Sequence, residues 1–181
     1  MKRRYEEEEL VEYMYAKKGC GYGFTAVIFC VLGIGIVGYS IPIGVAFFVL
    51  TAGVIVYAIY QGKKQNQYFD TMLSGKEAYQ ILKDFWEGSP TTNGQLRMGE
   101  KYLFPKGQGV ILKYSDIAKV YQSVHSTNGM KDSRVVKAEL TDGKTVTLCG
   151  VAVSNRFGTE EFEEIAYALL KKNPEIHIGY R

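Results

Sequence analysis

The side chains best suited to metal, nucleophilic or acid–base chemistry are two histidines, three cysteines and a run of four glutamates at residues 6–9. His125 and His177 stand far apart in the chain, with no Cys, Asp or Glu at ligand spacing beside either, so a zinc site is not expected. Cys20 and Cys30 fall in one apolar run and Cys149 lies far from both. That spacing suits neither a metal knuckle nor a disulfide framework, and three reduced thiols are expected. Four successive carboxylates point round a helix instead of converging, so residues 6–9 read as a solvated face. The strained G-x-S-x-G turn of a serine nucleophile is missing. Gly107-Gln108-Gly109 lacks the rest of a dinucleotide fingerprint, and no Walker lysine follows any glycine run. The expectation is a protein without catalytic residues, metal or cofactor, and not an enzyme.

What the sequence does position is charge around an apolar window. Residues 19–62 contain no Asp, Glu, Lys, Arg or His. Residues 1–18 are balanced in charge, so the net +3 of the 181-residue chain arises after the window. So small an excess does not suit a nucleic-acid partner. Two apolar runs occupy the window, residues 19–39 and 43–60. At 1.5 Å per residue they would be about 31 and 27 Å long, close to the roughly 30 Å hydrocarbon core of a bilayer. Backbone amides in hydrocarbon must pair internally, so both runs are expected to be helices of a transmembrane hairpin. The short connector through Ser40 and Pro42 returns the chain to the side it came from. Lys17 and Lys18 precede the first run, Lys63 and Lys64 follow the second, and the connector is uncharged. The positive-inside rule then places both termini in the cytoplasm. Tyr22, Tyr57 and Tyr60 at the inner ends and Tyr39 at the outer end would form interfacial belts. Gly19, Gly23, Gly33, Gly35, Gly38, Gly44 and Gly53 allow close helix packing, either within the hairpin or between copies. No ionisable group falls at mid-membrane and two helices cannot enclose a pore, so transport by a monomer is excluded.

Before the window, residues 1–18 carry an apolar stripe at Leu10, Val11, Met14 and Tyr15. This suits an amphipathic helix that lies on the inner membrane surface, packs on the soluble domain, or extends the first membrane helix. After the window, residues 63–97 read as a link followed by a helix. Ser74-x-x-Glu77 forms a capping box, and Ala78, Ile81, Leu82, Phe85 and Trp86 share one face. Residues 88–97 read as loop. Over residues 98–181 the period changes to two, and about five strands follow. They include residues 102–104, 110–114, 117–124 and 134–141, with a polar turn at residues 126–129 and an Asp142-Gly143 hairpin. Thr159 caps a last helix whose apolar stripe is Phe162, Ile165, Ala166, Leu169 and Leu170, and Asn173-Pro174 ends it. The fold class expected is α+β, with a mostly antiparallel sheet flanked by helices.

The stretch YLFPKGQGVILKYSDIAKVYQS, a polar turn, RVVKAELTDGKTVTL and a terminal amphipathic helix resemble the bacterial pleckstrin-homology-like (PH-like) domains. The best local matches are Tyr114 to Ile117 and Asp142 to Lys144. That family's sheet usually has about seven strands, against five read here, and this chain adds a helix before them. The whole chain resembles small bacterial two-helix membrane proteins with a cytoplasmic tail domain, which implies a plasma-membrane location. Three functions follow as expectations. The first is a membrane-anchored interaction module that binds a protein partner or a second copy. The second is a sensor of anionic membrane lipid, with Lys106, Lys113 and Lys131 joining Lys63 and Lys64 at headgroups. The third is an accessory subunit of a transport or secretion assembly.

Overall fold

The apolar window folds as two antiparallel helices in the computed structural model, which describes residues 2–15, 18–127 and 130–180. Helix α1 is Lys2–Met14, α2 is Lys18–Val37 and α3 is Ile41–Ser74. The chain divides into two units, one formed by Met1–Tyr15 with Lys76–Arg181 and the other by Ala16–Gly75.

In the second unit α2 packs along α3. Phe29 meets Phe47 at 6.0 Å between ring centroids, and Tyr22 meets Tyr57 edge-on at 5.5 Å. Most of the other large apolar side chains on both helices are exposed. Of the described helices, α3 is the one long and apolar enough to cross a membrane, and the apolar part described in α2 is Tyr22–Val37. The stretch from residue 63 to 73, expected to be a link, instead continues α3 through Lys63 and Lys64 to Ser74. Lys, Gln and Asn follow one another there without proline, so nothing interrupts the backbone ladder.

Ser74 therefore ends a helix instead of starting one. Helix α4, Ala78–Glu87, begins four residues later, and its N-cap Glu77 makes no side-chain cap bond. The expected capping box is absent because Ser74 belongs to the last turn of α3, where its hydroxyl donates to Thr71 O at 3.4 Å, while the Glu77 carboxylate accepts from Tyr102 and Lys113. Ala78, Ile81, Leu82 and Phe85 are buried as expected, whereas Trp86 is 41% exposed.

Beyond α4, the sheet read as one is two. Strands β1 (Ser89–Pro90), β2 (Leu96–Met98), β3 (Tyr102–Pro105) and β4 (Leu112–Lys113) form an antiparallel meander. Residues 88–97, expected to be loop, supply β1 and the start of β2. Strand β4 is cut to two residues by a 3-10 turn at Tyr114–Asp116. The second sheet holds β5 (Ile117–Thr127), β6 (Met130–Leu140), β7 (Thr145–Val151) and β8 (His177–Tyr180) in the order β7-β6-β5-β8. The β5 and β6 strands run antiparallel, while β8 adds to β5 in parallel after the crossover through α5, Asn155–Lys172. A register shift between Ile117 and Lys119 leaves Ala118 half-buried and brings Val120 and Gln122 inside. Both sheets and α5 share one core, built on Leu96, Leu103, Val120, Val136, Leu148 and Phe162. The cap of α5 is Ser154, whose hydroxyl accepts from the Phe157 amide, not Thr159. The turn at Asn128-Gly129 lies outside the described residues.

A second apolar layer covers the other face of the first sheet. Leu10 and Met14 of α1 are fully buried, and α1 packs on α4. Tyr13 stands edge-on to Phe85 at 5.4 Å, and Phe85 to Phe104 at 5.4 Å. The Gly107 and Gly109 amides donate to Tyr13 O and Met14 O, tying the end of α1 to the β3–β4 turn. Of the three placements open to the N-terminal segment, packing on the soluble domain is the one observed.

Candidate functional site

The N-cap Glu77 and, within α4, Gln80 and Asp84 follow one another at i, i+3 and i+7 along one edge. That edge meets the β2–β3 turn. Asp84 is only 2% exposed, and its Oδ2 accepts the Lys101 amide at 2.6 Å and the Tyr102 amide at 3.0 Å. Gln80 donates to the other oxygen at 2.9 Å. A buried carboxylate held by three donors fixes the turn, and Gly99 leaves room for it: a Cβ there would lie 2.8 Å from Asp84. The same turn is held from below, because the Tyr114 hydroxyl donates to Gly99 O at 3.2 Å.

These contacts wall a groove of about 460 Å³. Its charged lining is Lys76, Glu77, Glu100, Lys101, Lys113 and Lys172. The Glu77 carboxylate pairs with Lys113 at 2.8 Å and accepts the Tyr102 hydroxyl at 2.9 Å. Those bonds, led by the one from Lys113, hold the Glu77 carboxyl below its usual range. Burial, reinforced by the Glu77 hydrogen bond, pushes the Tyr102 phenol up to about 12. Burial first, then the Asp84 charge, raises the Tyr114 phenol further. Lys172 reaches the groove because Asn173 donates to Tyr114 O at 3.0 Å, which docks the end of α5 on the 3-10 turn.

The residues expected at lipid headgroups are not gathered here. Lys113 lies in the groove and is committed to Glu77. Tyr102 pairs across from Lys113, and Lys106 follows four residues later, so the two lysines sit about 13 Å apart along the hairpin. Lys106 lies over the Tyr13 ring at 5.6 Å instead. The Lys131 side chain and Lys17 lie outside the described residues, and of Lys18 and Gly19 only the backbone's place in α2 is described.

On the hairpin, Tyr22 and Tyr57 meet at one end, where Gln61 also donates to the Tyr57 hydroxyl at 2.8 Å. Tyr60, Lys63 and Lys64 follow on exposed positions of α3, and Tyr39, 94% exposed, marks the connector end. The glycines separate into two groups. Gly33 and Gly44 face each other's helix: a Cβ on Gly44 would collide with the Val37 side chain and lie 3.2 Å from Gly33 O. Gly23, Gly35, Gly38 and Gly53 have nothing within 4 Å of a Cβ.

The two histidines do not meet. His177 pairs with Lys119 of β5, six residues from His125, a separation of about 20 Å along the strand. Cys149 is buried, and burial raises its thiol to about 12. Among the described residues no three His, Cys, Asp or Glu side chains converge. Sequence reading found Lys113 of the groove and missed Lys76, Lys101, Lys172 and the role of Asp84. The available signal was Asp84 itself, a carboxylate flanked by the buried positions Leu82 and Phe85. No protein-family profile, curated protein or solved structure matches the chain.

Proposed function

We propose that this chain is a membrane-anchored, non-catalytic interaction module, in which the α2–α3 hairpin crosses the plasma membrane and holds the α+β unit at its cytoplasmic surface. The observation that carries this reading is the apolar stretch of α3, of which 6% is buried. Side chains such as Val49, Leu50, Val56 and Ile59 are exposed, and lipid is the solvent that accepts them. From residue 41 to 60 the helix is about 30 Å long, the thickness of the hydrocarbon core. Residues 61–74 carry it about 20 Å further as a polar helix. Lys63 and Lys64 at that junction and an uncharged connector support cytoplasmic termini and a multi-pass topology. The PH-like reading rests on the order of strands followed by α5 alone: the described residues hold eight strands in two four-stranded sheets, where about five in one sheet were expected.

Membranes washed at alkaline pH test the anchor. The full chain is expected to stay in the pellet and to be released by detergent alone. Release by the alkaline wash overturns the reading.

A further inference from the structure

We propose that the β3–β4 turn, Lys106 to Gly109, is the edge of the α+β unit that meets the bilayer, with the Lys106 ammonium on the phosphates of anionic phospholipid headgroups. The inference rests on the membrane reading above and deepens it by naming the contact. Chain length sets the first limit. Tyr15 ends the first stretch of this unit, and the uncharged window opens four residues later at Gly19. At about 3.5 Å per residue in full extension, four steps span at most about 14 Å. The headgroup layer fills about 5–7 Å of that distance. The covalent chain therefore holds Tyr15 close to the headgroups. The turn is fastened at the same point. The Gly107 amide donates to Tyr13 O at 3.0 Å and the Gly109 amide to Met14 O at 2.8 Å. Both glycines stand at positive φ, 67° and 70°, which lets the turn fold tightly against the end of α1. Leu10 and Met14 are buried, so packing fixes α1 as well. Where Tyr15 is held, the turn is held too.

The chemistry at this edge suits a phosphate-rich surface. Lys106 is exposed, and its ammonium lies 5.6 Å from the Tyr13 ring centroid. Tyr15 is exposed beside it, an aromatic with a polar tip of the kind that settles at headgroup depth. Residues 13–19 and 105–112 contain Lys17, Lys18 and Lys106 and no acid. Glu12, exposed one turn back on α1, is the nearest carboxylate in sequence, so the balance at this edge stays positive. Lys113 takes no part, because it lies about 13 Å along the hairpin and pairs with Glu77.

Quenching from the lipid surface tests the contact. Gln108→Cys and Lys144→Cys are made singly in a full chain whose native cysteines are replaced by alanine, and each carries a fluorophore. The protein is reconstituted in vesicles of phosphatidylcholine and phosphatidylglycerol that include a lipid spin-labelled on its headgroup as quencher. Thr141 donates to Asp116 O and Leu140 to Lys144 O, so position 144 lies at the other end of β4 from the turn. Position 108 should be quenched and position 144 should not. Lys106→Glu should reduce the quenching at 108 about twofold or more, and omission of phosphatidylglycerol should act in the same direction, while Lys106→Arg should keep it. A chain that stays with the vesicles through an alkaline wash but shows equal quenching at both positions, or none at 108, overturns the proposal and leaves the anchor standing. Quenching at 108 that ignores both Lys106→Glu and the loss of anionic lipid overturns it as well. A chain that the wash removes overturns the anchor, and this proposal with it.

Discussion

Asp84 shows how a single side chain holds the groove together. It replaces the ladder partners that the Lys101 and Tyr102 amides lack at the head of β3. Asp84→Ala leaves those buried donors unpaired, and we expect it to lower unfolding stability by about 1–3 kcal/mol in denaturant titrations. Glu77 behaves differently, because it is exposed to water. Its carboxyl is held low by Lys113 and Tyr102, so its contribution is present above the ordinary carboxylate range and is lost as pH falls through the lowered value. Tyr102 has the opposite sign. Its folded value of about 12 lies above the usual 10.0, so the proton is retained in the folded state and stability falls as pH rises between the two. Phenolate absorbance is the check: Tyr102 and Tyr114 should ionise only after the exposed tyrosines, and simultaneous ionisation would contradict this burial. Cys149 should resist maleimide in the folded protein and react once it is unfolded.

Helix and strand explain why one part of the fold was legible and another was not. The stripe Ile81, Leu82, Phe85 and the alternation Val136, Ala138 depend on burial against one neighbour, and periodicity reports that directly. Strand β3 is buried on both faces, all four of its residues, so its alternation carries no information about what covers it. The cover on the outer face is α1 and α4, one from before the apolar window and one from after it. No local pattern announces that pairing, which is why the N-terminal helix had three open placements. The short strands β1, β2 and β4 were lost or blurred for a related reason: two or three residues cannot establish a period. The groove was illegible because its lysines come from four separate elements. Removing the cover is therefore costly, and Leu10→Ala should destabilise by about 2–5 kcal/mol, read by thermal or denaturant unfolding. In the hairpin the glycines predict opposite outcomes. Gly44→Val drives a side chain into Val37 and should lower thermal stability in detergent, while Gly53→Ala meets open space and should leave it unchanged or raise it slightly.

At the scale of the whole molecule, two units with opposite surfaces share one chain. The Met1–Tyr15 and Lys76–Arg181 unit closes around its own core, whereas the Ala16–Gly75 unit leaves its apolar side chains uncovered. Water rewards the first arrangement and penalises the second, and a bilayer removes the penalty. The interaction module proposed above rests on that division, with the uncovered hairpin as its anchor. Sidedness tests it most directly. Single cysteines at Ser40→Cys and Lys144→Cys, in a chain whose native cysteines are replaced by alanine, are probed with a membrane-impermeant maleimide in intact and in opened cells. Position 40 is expected to react in intact cells and position 144 only after the cells are opened. Labelling of both positions in intact cells, or of both only after opening, would contradict it.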